Sequence, residues 1–310
     1  MKKLFIIGNG FDVAHKLPTQ YKDFRKFLNE LCGGELSYMP SISVDQDGDY
    51  SADRETTAGL LINLIDNTLG ENDWKDVEYA MGIFNYDEYF DDFDLSAAIA
   101  DSDDNEMYRV QHVREEIASN LHCCIYEIKN LFAEWIDTIE VDAEPQSRFV
   151  YLFDADSLFL TFNYTNTLEA VYDIKDLKVC HIHGEQGGEI IVGHGNDDNP
   201  YSEEKFDYIG IQDSLEDLFE SLKKDVVGCF YANSKFFNQI KDYKITDIYS
   251  FGFSFSDIDL YYITQICKIV DTSSVTWHLS EYDEGDKNEK YKKLLIECGF
   301  KGRFGELIPN

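Results

Sequence analysis

Leu4-Phe5-Ile6-Ile7-Gly8-Asn9-Gly10-Phe11-Asp12 is the stretch that decides the fold: four apolar residues run into a Gly-x-Gly turn, an aromatic and an acid. A continuous apolar run suits a strand buried on both faces of a parallel sheet. Glycines at its end let the backbone approach a phosphate, and the next helix would add free N–H groups and a positive dipole end. The stretch predicts the first strand and nucleotide-binding turn of an open α/β sheet, although Gly-Asn-Gly lacks the third glycine of the dinucleotide fingerprint. Gly8, Asn9, Gly10, Phe11 and Asp12 are its candidate ligand-binding residues.

Working outward, apolar runs bounded by turn residues predict further buried strands at 158–163, 178–184, 189–194, 247–254 and 274–281. Helical spacing at 166–172, 257–270 and 288–298 falls between several of them, the alternation of a Rossmann-like α/β fold. From about residue 33 to 146 that rhythm breaks into long helical patterns, such as 107–139, and acid-rich tracts at 45–55 and 87–106. The expected division is an α/β nucleotide-binding domain over 1–36 and 147–310, with a large, mainly helical insertion over 37–146. The acidic stretch 101–106 lacks the glycine and terminal glutamate of a calcium loop and reads as a solvated helix entry.

Charge narrows the partners. Sixty Asp and Glu against 27 Lys and Arg leave a net charge of −33, which repels nucleic-acid backbones. Seven cysteines, none in a C-x-x-C pair, read as reduced core thiols. No run approaches a bilayer span, and the N-terminal apolar stretch is too short for a signal sequence, so a soluble cytoplasmic protein without a membrane partner is expected. Trp74, Trp135 and the aromatic stretch 84–93 read as core or a self-association face.

Four more motifs sit at predicted strand ends, where an open α/β sheet binds its ligands. They are Thr161-Phe162-Asn163-Tyr164-Thr165, His181-Ile182-His183-Gly184, Gly193-His194-Gly195-Asn196 and Gly252-Phe253-Ser254-Phe255-Ser256-Asp257-Ile258-Asp259. Each brings small residues and hydrogen-bonding side chains to one edge. Asp12, Asp257 and Asp259 add carboxylates to that edge, Asp257 being equally suited to cap the helix predicted there. His181 and His183, two apart on a strand, would share a face and with His194 could hold a metal, the basis of an alternative reading as a metal phosphohydrolase.

The order of the Gly8–Asp12 turn, Thr161–Thr165, His181–Gly184 and Gly252–Asp257, with Trp74-Lys75-Asp76-Val77-Glu78 in the insertion, resembles the bacteriophage abortive infection family AbiH over nearly the whole chain. The same motifs are similar, more distantly, to the sirtuin-like NAD-binding fold. There Pro18 with Asp23-Phe24-Arg25 echoes a loop, Asn163 matches an asparagine, His183-Gly184 a His-Gly pair, and Gly252 with Ser254 the last turn.

That likeness implies an anti-phage protein that binds NAD as substrate or ligand and cleaves it to nicotinamide and ADP-ribose. Asn163 would hold the nicotinamide ribose or a water, and His183 would act as base. Gly8–Asp12, Arg25, Thr161, Gly184, Gly252, Ser254, Asp257 and Asp259 would line the nucleotide site, and no metal is expected. Thr165 stands where the sirtuin-like motif has a nicotinamide-contacting aspartate, and no four-cysteine zinc site is present, which argues against a deacetylase. The implied partners are a phage trigger protein and a second copy of the chain; the alternative is a nucleotide-sensing module without turnover.

Overall fold

The structure, a computed structural model, describes residues 2–37, 41–44, 50–70, 74, 76–86, 115, 118–202, 211–281, 285–306 and 308. The acidic stretch 101–106 and the ends of the 84–93 and 107–139 patterns beyond residue 86 and before residue 115 lie outside them. The chain forms two compact units. One joins Met1–Gln20, Ile136–Ile191 and Asp225–Asn310, and the other joins Tyr21–Trp135 and Val192–Lys224. The second unit thus contains Val192–Lys224 as well as most of the stretch expected to be an insertion.

The first unit is built on β1 (Lys3–Ile7), β4 (Leu158–Thr161), β5 (Val179–His181), β6 (Asp247–Phe251), β7 (Thr276–His278) and β8 (Arg303–Phe304). Every pairing is parallel, in the order β5-β4-β1-β6-β7-β8. In chain order that is 3-2-1-4-5-6, the arrangement of a Rossmann-like sheet, and the strand order reverses between β1 and β6. β1 is central because its side chains are apolar on both sides. Leu4 and Ile6 enter one core with Leu158, Leu160 and Ile248, while Phe5 and Ile7 enter another with Phe159 and Phe251. Burying each such side chain contributes roughly 1.5–3 kcal/mol.

Helices cover each face. On the Leu4 side lie α9 (Val226–Ala232), α10 (Ser234–Asp242), α11 (Leu260–Ile269) and α12 (Asp286–Glu297). On the Phe5 side lie α1 (Gly10–Ala14), α6 (Ser147–Leu152) and α7 (Thr167–Tyr172). The alternation of strands and crossover helices is that read from the sequence.

Residues 189–194 do not make the strand expected there. Ile190 instead folds back to bridge Gly184 in antiparallel fashion, and His194 bridges Lys223 within the second unit. Gly184 permits the reversal: its φ is +87°, and a Cβ there would lie 1.8 Å from the Glu189 carbonyl oxygen. The helix expected from residue 257 begins at Leu260, with Asp259 rather than Asp257 at its N-cap position.

The second unit surrounds α3 (Arg54–Leu69), whose Leu60, Leu61, Ile62, Leu64 and Ile65 are all buried. A helix apolar on every side must be covered all round. The Asp53 side chain caps it by accepting from the Thr56 N–H at 2.9 Å. Around it are α2 (Tyr21–Leu31), the hairpin of β2 (Ile42–Val44) and β3 (Tyr50–Ala52), α4 (Val77–Met81), the helical residues 118–126, the first part of α5 (Ile128–Asp137), and α8 (Gln212–Ser221). Trp74, Trp135, Phe84 and Tyr86 are buried in this unit, the core reading made for them.

Candidate active site

The carboxyl end of β1 meets the carboxyl end of β6 backbone to backbone. The Gly8 N–H donates to the Phe251 carbonyl and the Gly10 N–H to the Gly252 carbonyl, both at 3.0 Å. A Cβ on Gly8 would sit 2.5 Å from the Gly252 oxygen, and one on Gly252, where φ is +65°, would sit 2.4 Å from the Phe11 nitrogen. The glycines are therefore required by each other. Phe11 turns its ring into the sheet core against His15 and Phe149, with centroids at 4.5 and 4.9 Å. Asn9 is exposed and ties the turn to the following loop, donating from Nδ2 to the Thr19 carbonyl at 2.7 Å.

Asp12 faces inward. Its Oδ2 accepts from the Thr165 hydroxyl at 2.5 Å and its Oδ1 from the Thr167 hydroxyl at 2.8 Å. Burial raises its pKa to about 6, and the two hydroxyls restrain that rise by favouring the carboxylate. The clamp accounts for threonine at 165: its hydroxyl is spent on Asp12, which joins the loop after β4 to α1.

Asn163 follows directly from the β4 end, where the Thr161 hydroxyl oxygen accepts its backbone N–H at 3.1 Å. The residue is 6% exposed, yet neither Nδ2 nor Oδ1 has a hydrogen-bond partner. It approaches Asp12 closely enough to favour the ionised carboxyl without completing a bond. A buried amide left in this state forfeits roughly 1–3 kcal/mol per unpaired group.

The two histidines diverge, because β5 ends at His181 and His183 lies in the turn beyond it. His181 bonds the Asn163 carbonyl oxygen through Nδ1 at 3.0 Å and Glu169 through Nε2 at 3.1 Å. Burial pulls its pKa down, but the Glu169 hydrogen bond and charge carry it above the ordinary value. His183 instead faces α11, with Nε2 at 3.2 Å from the Tyr262 hydroxyl and 3.9 Å from Asp259 Oδ1. Phe162 flanks its ring at 5.6 Å between centroids. The shared face expected for the pair is absent because the strand stops at His181, two residues short of His183.

Ser254 and Asp257 are exposed on the loop after β6. Asp259 turns inward, accepting from the Ser256 hydroxyl at 2.7 Å. Arg25 belongs to the second unit, on α2, where Asp66 engages its guanidinium through two nitrogens and Trp74 donates to the same carboxylate at 2.5 Å. His194, also there, bonds the Phe219 carbonyl oxygen at 2.9 Å. Among the described residues no group of three or more His, Cys, Asp or Glu is arranged to hold a metal ion.

The structure thus brings Gly8, Gly10, Asp12, Thr161, Asn163, His183, Gly252 and Asp259 to strand ends, loops and the short helix α1 of the first unit. Tyr262, Thr167 and Glu169 were not singled out from the sequence. Tyr262 sits in Leu260-Tyr261-Tyr262-Ile263, which reads as a helix's core face, and only the fold turns its hydroxyl toward His183.

Fold and site define a Rossmann-like α/β protein with a polar, partly unsatisfied cluster beside the carboxyl edge of its sheet. The family described as Bacteriophage abortive infection AbiH matches residues 4–281, and the chain belongs to that family. Abortive infection, the defence of a bacterium against phage, is accordingly its functional class. No curated protein and no solved structure matches the chain. Among the described residues no helix is long and apolar enough to cross a membrane.

Proposed function

We propose that the first unit binds NAD or a closely related nucleotide and hydrolyses NAD to nicotinamide and ADP-ribose during abortive infection. The observation that carries this reading is the Asn163 amide, buried and without a partner at the end of β4. Unsatisfied polar groups are retained where a ligand completes them. Asn163 would orient the nicotinamide ribose or the attacking water, and His183 would take that water's proton. The glycosidic carbon–nitrogen bond breaks with its electron pair going to nicotinamide, the water oxygen bonds the ribose carbon, and the proton leaves through the imidazole. Asp259 supplies negative charge near the cationic centre. With the Gly8 and Gly10 N–H groups bonded to the Phe251 and Gly252 carbonyls, the nucleotide's phosphates would depend on exposed Asn9 and Ser254 on the two adjoining loops.

Incubating the full chain with NAD and separating the products tests the reading. Nicotinamide release that disappears in His183→Ala supports it; intact NAD at every protein concentration, with no binding, removes it.

A second reading, nucleotide sensing without turnover, is favoured by the closure of the site. Asn163 and His183 are both buried, and Thr165 is committed to Asp12 rather than to a ligand. Saturable NAD or ADP-ribose binding without product would select it.

A further inference from the structure

We infer that Asp259, together with Tyr262, is a positioning residue for His183, holding the imidazole proton on Nε2 so that the lone pair lies on Nδ1. The inference rests on the reading of His183 as a base and adds the group that would orient it. Asp259 occupies the N-cap position of α11 but its side chain makes no capping bond there. An aspartate at that position ordinarily accepts from the first-turn N–H groups, contributing about 1 kcal/mol to the helix. Here the carboxylate is turned away: Oδ2 is held by the Ser256 hydroxyl at 2.7 Å, and Oδ1 stands 3.9 Å from His183 Nε2.

Tyr262 lies one turn further along and donates its backbone N–H to the Asp259 carbonyl at 3.1 Å, which sets both residues on the same side of the helix start. Its hydroxyl is 3.2 Å from the same imidazole nitrogen. Burial raises the tyrosine pKa, so the hydroxyl stays protonated. His183 Nε2 therefore faces a carboxylate at the N-cap of α11 and a neutral hydroxyl on its first turn, and Phe162 flanks the ring. His181, two residues away, is turned to Glu169. A carboxylate at this distance favours the tautomer with the proton between ring and acid, and stabilises the imidazolium formed when Nδ1 accepts a second proton.

The test uses the full-length protein labelled with 15N-histidine, so that the His183 ring is read whether or not NAD is turned over. The expected spectrum has His183 protonated at Nε2. Asp259→Asn is expected to mix the tautomers and lower the titration midpoint of the ring by about one pH unit. Ser256→Ala, which releases the carboxylate without removing it, is expected to give a smaller shift in the same direction and serves where Asp259→Asn does not fold.

An unchanged tautomer and midpoint in the folded variants overturns the inference. Turnover separates it from the reading it rests on. If wild type cleaves NAD, Asp259→Asn is expected to lower kcat roughly 10–100-fold at nearly constant KM, with the acid limb of the pH profile moved to lower pH. Unchanged kcat and profile overturn the positioning role, whereas the ring shifts in a wild type that does not cleave NAD uphold it and remove only the reaction.

Discussion

Thr165 donates its hydroxyl to Asp12 at 2.5 Å, and through that one bond the loop leaving β4 is fastened to the turn leaving β1. The carboxylate sits in the closed interior, where desolvation raises its pKa to about 6 from 3.8 in the unfolded chain. Between those values the unfolded state gives up the proton first. Asp12 therefore contributes stability below pH 4 that is lost as pH rises toward 6, about 3 kcal/mol at roughly 1.4 kcal/mol per pH unit. Urea unfolding from pH 4 to 7 is expected to show this decline in wild type relative to Asp12→Asn, and parallel pH curves for the two would refute the assignment.

At Gly252 the backbone has φ +65°, and an added Cβ meets the Phe11 nitrogen at 2.4 Å. Gly252→Ala is expected to cost the left-handed penalty of roughly 1–2 kcal/mol together with the displacement of the Gly8–Gly10 turn. Gly33→Ala, with φ +64° and nothing within 4 Å, should lose only the first part. Equal denaturation midpoints for the two variants would show that the turn yields freely.

Asn163→Ala separates function from stability. Removing an amide that has no partner withdraws its desolvation cost, so the variant is expected to unfold no earlier than wild type while losing NAD turnover. A variant that unfolds several degrees earlier would make Asn163 a structural residue.

In the second unit the Lys224 side chain is 1% exposed and pairs with Glu78 at 2.5 Å. Lys224→Met alone strands a largely buried carboxylate and is expected to cost about 3–5 kcal/mol, most of it recovered in Lys224→Met/Glu78→Leu. Additive losses in the double-mutant cycle would show that the charges do not interact.

Much of the sheet could be read from side-chain pattern alone. Leu4–Ile7 and 158–160 announce themselves because both faces are buried, so apolar residues run on without polar interruption, and 247–251 does so through Ile248, Tyr249 and Phe251. β8 is two residues long with an exposed arginine and carries no such signal. The stretch 189–194 carries the signal falsely, since Ile190 bridges Gly184 across a reversal rather than pairing into the sheet. At the candidate site, Asn163 and His183 stood out as motif residues, but their surroundings did not. Which way Asp12 points follows from Thr165 and Thr167 beyond β4, and that His181 and His183 part company follows from where β5 stops. The glycines misled in a specific way: the pattern suited close approach to a phosphate, and the close approach is to another stretch of backbone.

The pairing of β1 with β6 has a consequence for synthesis. Lys2 and Thr246, 244 residues apart, are joined by hydrogen bonds where these two strands begin. At about 5–20 residues per second, tens of seconds pass on the ribosome before the first strand meets that neighbour. Until then the glycine turn has no Gly252 to close against, and His183 has neither Asp259 nor Tyr262. The nascent chain cannot assemble this edge piecemeal: it closes only once β6 and the start of α11 have followed the first strand.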